Sequence, residues 1–320
     1  MAGNASFPDL YSVYTDEYLP GFADNYTKHS KLLDFLKSKG SKRKDKGGVT
    51  ITEGIEYAMN GQYVRYTGAD SWGTLPSNPF LTRSQFLRRQ IASTIVVTRT
   101  EELAKINTVT DEDEVARKVI NAGKTLANGL AGDVYSDGSA SNQIDGLQKI
   151  IADAAGTTVG GIDPTQSGNS FWENYRANIL ATDKIMAALE AAYMGTTRNN
   201  DHVDYIVMDN GMFGRYFNEL QDQQRFVDTG KASGGFRELA FNEVPVVFDE
   251  GMTALKGQIP AKHAYLINSQ YLALRPHQDC EMIKREKVNS FNADCYSSAI
   301  LWAGALTCSG RSFHGVVVTA

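Results

Sequence analysis

Cysteine is scarce. Cys280, Cys295 and Cys308 are an odd number, far apart, and none forms a CxxC pair. That excludes a disulfide framework or a zinc knuckle and fits reduced, buried thiols. Long apolar runs are missing too: nothing approaches the roughly 18–20 residues needed to cross a bilayer. Met1–Leu10 has neither a basic segment nor an apolar core, so no secretory signal is expected. Without one, Asn4-Ala5-Ser6 and Asn25-Tyr26-Thr27 carry no weight as glycosylation acceptors. An excess of positive charge is also absent. The net charge is −5, whereas a dedicated nucleic-acid binder is usually basic overall. No internal repeat and no low-complexity block is visible. What remains is the make-up of an ordinary folded soluble protein, with room in 320 residues for two or three lobes or for one domain with large excursions.

Along the chain, residues 1–46 read as an arm. Phe7, Tyr11, Tyr14, Tyr18 and Phe22 are scattered around Pro8 and Pro20. Phe22, Tyr26, His29, Leu33 and Leu36 then share one helical face. The basic stretch from Lys37 to Lys46 follows, closed by Gly47-Gly48. Such a segment makes no core alone, so it is expected to lie against neighbouring chains. Residues 49–99 read as a long hairpin. Val49, Ile51, Ile55, Tyr57 and Met59 alternate with polar residues, and Ile91 and Thr94 to Thr98 form the expected return strand. The segment between, Thr67 to Asn78, is rich in turn formers.

Thr110 is a good N-cap, with Asp111 to Glu114 at the positive end of a helix dipole. Val115, Val119, Ala122, Leu126, Leu130 and Val134 then recur every three or four residues. The predicted helix runs to about Tyr135, about 25 residues and roughly 37 Å long. Gly123, Gly129 and Gly132 each cost it about 1 kcal/mol relative to alanine and suggest close approach of another backbone. The middle, 141–275, alternates helices (Ile144–Ala155, Thr182–Met194, Asn210–Val227) with strands (Tyr205–Met208, Val244–Phe248, Ala264–Leu274). Pro245 places its strand at an edge or a strand start. Residues 280–320 add returning strands.

Candidate chemistry is sparse. Gly123-Lys124-Thr125 lacks the first glycine and the preceding strand of a phosphate loop. Gly310-Arg311-Ser312-Phe313-His314 lacks the closing glycine and the context of a nucleophile elbow. His277, Asp279 and Cys280 are too few for zinc, and His202 and His263 have no metal spacing. Asp111–Glu114 point in different directions, as a solvated helix start does. No catalytic, cofactor or metal residue is therefore nominated. The basic run (Lys42, Arg43, Lys44 and Lys46 within it) keeps two readings: a solvated flexible turn, or a clamp on an acidic surface, either DNA or a neighbouring subunit. It carries no interleaved aromatics for base stacking.

The order of arm, hairpin, long helix, mixed lobe and returning strands resembles the Hong Kong 97-type major capsid proteins of tailed bacteriophages. Local motifs carry the same resemblance: Ile144-Asp145-Gly146-Leu147, Thr158-Val159-Gly160-Gly161-Ile162-Asp163 with Phe171-Trp172, Tyr271-Leu272-Ala273-Leu274-Arg275-Pro276-His277, and Ile300-Leu301-Trp302-Ala303-Gly304 with Leu306-Thr307-Cys308-Ser309. It implies an α+β capsid fold with an N-arm (1–46), an extended β-hairpin loop (47–99), a peripheral domain with a spine helix (100–140 and 276–320) and an axial domain (141–275). It further implies a non-enzymatic coat protein that assembles with itself into pentamers and hexamers of an icosahedral head around double-stranded DNA. Expected partners are a separate scaffolding protein and a portal, with no membrane; whether a decoration protein binds is left open. The expected location is the virion capsid, assembled in the bacterial host cytoplasm. Some relatives cross-link through a lysine in the extended loop; 49–99 contains no lysine. Two other readings stay open: a bacterial nanocompartment (encapsulin-like) shell, and, remotely, a serine hydrolase using Ser312 and His314.

Overall fold

The computed structural model describes residues 30–39, 43–59, 63, 65–68, 79–103, 113–223, 239–249 and 259–320. The aromatic stretch before Ser30, Lys42, and the Thr110 cap with Asp111 and Glu112 lie outside these residues.

The first helix, α1 (Lys31–Ser38), is capped by Ser30, whose hydroxyl accepts from the Leu33 amide. Its apolar face, Leu32, Leu33, Phe35 and Leu36, is buried in a core shared with residues of this chain such as Leu130, Val134 and Tyr205. The expectation that this part of the arm is ordered by neighbours is therefore corrected: an amphipathic turn of this length finds its apolar partner within its own subunit.

Strand β1 (Thr50–Glu56) alternates as its sequence period requires, with Ile51, Glu53 and Ile55 inward. Its partner is β2 (Leu81–Leu87), antiparallel, with Thr50 opposite Leu87 and Glu56 opposite Leu81. The predicted return strand over 91–98 forms, but elsewhere. As β3 (Arg89–Thr98) it runs antiparallel to β12 (Cys295–Cys308), from Gly304 opposite Arg89 to Cys295 opposite Thr98. β-propensity identified the strand; it is silent on the partner.

The other edge of β12 is lined in succession by β9 (Leu272–Pro276), β10 (Ile283–Lys284) and β11 (Val288–Asn289). The short α2 (Arg99–Leu103) follows β3, and the long α3 (Asp113–Asp133) has 21 residues, roughly 31 Å. Ala122, Leu126, Leu130 and Val134 bury the predicted stripe in a core shared with Ile95, Val97, Ile300 and Trp302.

A second sheet has the order β4-β13-β8-β5-β7-β6. Its strands are β4 (Tyr175–Ile179), β5 (Tyr205–Met208), β6 (Leu239–Phe241), β7 (Val244–Phe248), β8 (His263–Ile267) and β13 (Gly315–Thr319). Alternate residues face two cores. Tyr205, Val207, Tyr265, Ile267 and Val316 face α1 and the end of α3. Ile206, Met208, Leu266 and Val317 face α5 (Ile185–Thr196) and α6 (Asn210–Gln223). A strand buried on both faces reads as a continuous apolar run, as Tyr205–Met208 does.

Several boundaries differ from expectation. The helix predicted over 144–155 is one turn, α4 (Leu147–Ile150). The Ile150 carbonyl, which a longer helix would use, accepts instead from Arg311 Nε at 2.7 Å. The strand region 264–274 splits at a turn, sending β8 to one sheet and β9 to the other. Pro245 is second in β7, which has neighbours on both sides; the edge is β6, so only the strand-start half of that expectation holds. Residues 315–319 join the six-stranded sheet rather than the one built on β12.

Candidate functional site

Among the described residues of the basic run, 43–45 lie alongside β9, joined by one isolated bridge. The Arg43 amide donates to the Leu274 carbonyl at 3.1 Å, and that of Asp45 to Pro276 at 2.9 Å. The Gln278 amide returns a bond to the Asp45 carbonyl at 2.9 Å, and Asp45 bridges His277 in parallel. Side chains alternate accordingly. Asp45 turns inward to an ion pair with Arg88, while Arg43, Lys44 and Lys46 are exposed. Lys44 lies 3.6 Å from Glu281. An exposed pair of this kind contributes less than about 1 kcal/mol, so the cations remain available to an outside acidic surface.

The hairpin root is a buried polar junction. Glu53 on β1 receives Arg275 Nη2 of β9 at 2.6 Å and 2.8 Å, one contact to each carboxylate oxygen. The Thr307 hydroxyl of β12 donates to Glu53 at 2.8 Å. On β2, Ser84 donates to the Cys308 carbonyl, and the Gln85 amide donates to Gly160 at 2.8 Å. Gly160 has φ +60°, and a Cβ there would sit 2.7 Å from that of Ser84. Trp172 donates to the Val159 carbonyl at 2.9 Å. Three of the family-like motifs thus converge on one task, anchoring the hairpin. Beyond its root the hairpin exposes large apolar side chains, among them Met59, Tyr63, Tyr66, Phe80 and Leu81; Met59 is 94% exposed.

The α3 glycines do not receive a backbone from this chain at the positions tested by geometry. A Cβ on Gly123 would meet the Ile300 side chain at 3.7 Å, ordinary contact, and one on Gly129 would meet nothing. Gly132 is buried on the same helix.

The residues weighed for catalysis are accounted for structurally. His314 is fully buried, and its Nδ1 accepts from the Asn268 amide at 3.2 Å. Burial, with Arg311 nearby, pushes its pKa down to about 3, so the ring is neutral. Arg311 is itself 0% exposed and donates to the carbonyls of Ile150, Thr157 and Trp172. Burial lowers its pKa to about 10, which leaves it charged. It welds three loops together, and Ser312 gains no activating base from it. Burial raises the Cys308 thiol to about 12, which keeps it protonated. Lys124 lies in the middle of α3. His277 Nδ1 accepts from the Asp279 amide at 3.1 Å. Among the described residues no group of three potential metal ligands occurs, and no helix is long and apolar enough to cross a membrane. Sequence reasoning missed Glu53 and Arg311. The only signal for either was a charged residue at an inward strand position or inside a motif.

No family profile matches the chain, and no curated protein matches it in sequence. Solved structures do match in fold. A chain of the cyanophage A-1(L) capsid asymmetric unit superposes with a TM-score of 0.66 at 16% identity, covering 94% of this chain and 95% of that one. A chain of the native GTA particle's capsid gives 0.62 at 10% identity, covering 100% of both. One from Mycobacterium phage Bobi gives 0.61 at 12%, covering 99% of both. The chain has the mixed helix-and-sheet fold of phage capsid chains, over essentially its whole length.

Proposed function

We propose that this chain is the major capsid protein of a tailed phage, of the Hong Kong 97 type, and works by assembling with copies of itself. The observation that carries the reading is the end-to-end likeness in fold to a capsid chain of cyanophage A-1(L). The architecture supports it from another side. A hairpin rooted in a buried ion pair and apolar beyond it is built to be held firmly and to bury its far part against something else. A second copy of the same chain is the simplest partner.

In this reading residues 1–46 are the N-arm, 47–99 the extended loop, 100–140 with most of 276–320 the peripheral domain, and 141–275 the axial domain. The copies form pentamers and hexamers of an icosahedral head around double-stranded DNA, with a scaffolding protein and a portal as partners. Assembly takes place in the bacterial host cytoplasm. Many individually modest contacts, repeated around a closed shell, make it collectively stable.

Arg43, Lys44 and Lys46, with Lys42, serve the subunit interface in this reading, as a short-range clamp on carboxylates of a neighbour. Neutralising Lys42, Arg43 and Lys44 together is expected to impair shell formation. Empty shells that still form while DNA is lost would assign the run to DNA instead, and binding there would be sequence-independent and salt-sensitive. The direct test is electron microscopy of the purified chain co-expressed with the scaffolding protein from the same genome. Closed icosahedral particles are expected; a monomer that never assembles refutes the reading. Particles that hold an enzyme cargo instead of DNA would identify a nanocompartment.

A further inference from the structure

The chain enters α1 at a single fixed point. Asp249 follows β7 directly, and one of its carboxylate oxygens, Oδ2, gathers donors from two other elements. The Ser30 hydroxyl, at the α1 cap, donates at 3.1 Å, and the Leu32 amide approaches at 3.5 Å. The Tyr135 hydroxyl, just past the end of α3, donates at 2.8 Å. Burial and the Asp249 carboxylate both push the Tyr135 phenol well up, so it stays the donor. Beside this point Lys31 Nζ lies 4.1 Å over the Phe248 ring. One turn on, Phe35 stacks on Tyr205 with ring centroids 3.9 Å apart.

We propose that Asp249 is a latch that docks α1 on its own subunit in one fixed position. An eight-residue helix is unstable alone and persists only through its contacts. Leu32, Leu33 and Leu36 give it an attachment, but apolar contacts are non-directional and leave it free to slide or turn. A carboxylate at its N-terminus removes that freedom, because it meets the positive end of the helix dipole and the cap at one place. Tyr135 ties the same oxygen to the long helix, so α1, α3 and the six-stranded sheet share one reference point. The inference rests on the shell reading for its purpose: a helix seated alike in every subunit presents the same surface to each neighbour.

The test uses the full chain in four forms: wild type, Asp249→Ala, Ser30→Ala and Tyr135→Phe. Amide hydrogen exchange is measured by mass spectrometry, followed by microscopy of the assembled product. Asp249→Ala is expected to speed exchange over residues 31–38 by roughly tenfold, with β5 and β8 amides unchanged. Ser30→Ala and Tyr135→Phe should do the same to a smaller degree, and Asp249→Ala particles should be irregular in diameter. Unchanged exchange over 31–38 would overturn the latch. So would faster exchange in β5 and β8 to the same extent, since that is what an ordinary structural residue produces. If Asp249→Ala does not fold, Ser30→Ala combined with Tyr135→Phe keeps the carboxylate and makes the same comparison. A wild-type chain that forms no particles would defeat the shell reading alone, because the exchange comparison is made on unassembled subunits.

Discussion

The six-stranded sheet and the β1–β2 hairpin are built on opposite plans. At the centre of the sheet both faces are covered: Ile206, Val207 and Met208 are each fully buried between two cores of the same chain. In the hairpin one face is buried at the root, through Ile51, Ile55 and Phe86, and the far part is apolar yet exposed. The sheet is complete within one subunit. The hairpin is complete only at its base, where the ion pair and its hydrogen bonds lie beside that buried apolar face.

The sharpest way to break that comparison is to remove the ion pair. Arg275→Ala leaves the Glu53 carboxylate buried with Thr307 as its one side-chain donor among the described residues. Losing one partner of a buried pair costs about 3–5 kcal/mol. Chemical denaturation should show a loss of that size, with exchange in β1 and β2 rising before that in β5. An equal rise in both regions would mean that the two are not separable.

Acid should probe the body instead. His314 is neutral when folded, with its pKa lowered to about 3, while the unfolded ring titrates near 6.5. Its contribution is fully present above pH 6.5 and is lost as pH falls from there toward 3. Over that window stability should drop by about 1.4 kcal/mol per pH unit for this group. Denaturation at pH 7 and pH 4.5 should show a shallower slope in His314→Gln, and parallel slopes would refute the assignment.

Gly129→Ala is a smaller perturbation. The site is open within the subunit, so helix propensity alone should add up to about 1 kcal/mol to the isolated chain. If assembly then fails, a neighbouring copy lies against α3 there, as the glycine spacing suggested; normal assembly leaves the residue facing open space. The smallest effect on folding should come from Met59→Ser, within about 0.5 kcal/mol for an exposed position. Its effect on assembly should be large, and a variant that assembles at the wild-type rate would remove Met59 from the interface.

The same contrast explains what the sequence disclosed. Period-two alternation over Ile51–Ile55 and the apolar run Tyr205–Met208 are local patterns, and both strands form where they were read. The α3 stripe is local too. The partner of β3 was not legible, because pairing with residues 295–304 closes a long loop that leaves no mark in either segment. The helix expected over 144–155 failed for a related reason: Arg311, distant in sequence, takes the Ile150 carbonyl. The anchoring groups were hidden because Glu53, at an inward strand position, looks in the sequence like a flaw in the alternation. It is the residue that Arg275 and Thr307 require. Residues 43–46 read as a charged turn because nothing local announces the edge of β9.

The long strand β12 has one further consequence. β2 ends at Leu87 and β3 begins at Arg89, so the hairpin and the ladder to β12 are nearly one continuous piece of backbone. Tension on the hairpin tip is therefore carried along β3, parallel to the strand axis, into a ladder running from Arg89 opposite Gly304 to Thr98 opposite Cys295. Loaded in shear, those bonds share the force and must give way together, whereas a peeled ladder would lose them one by one. β12 then acts as a tie-beam, gripped on its other edge by β9, β10 and β11. Single-molecule pulling between the hairpin and Asp294, which loads β12 at the far end of the ladder from Arg89, should show one high rupture force; a staircase of small steps would show that the load takes another path.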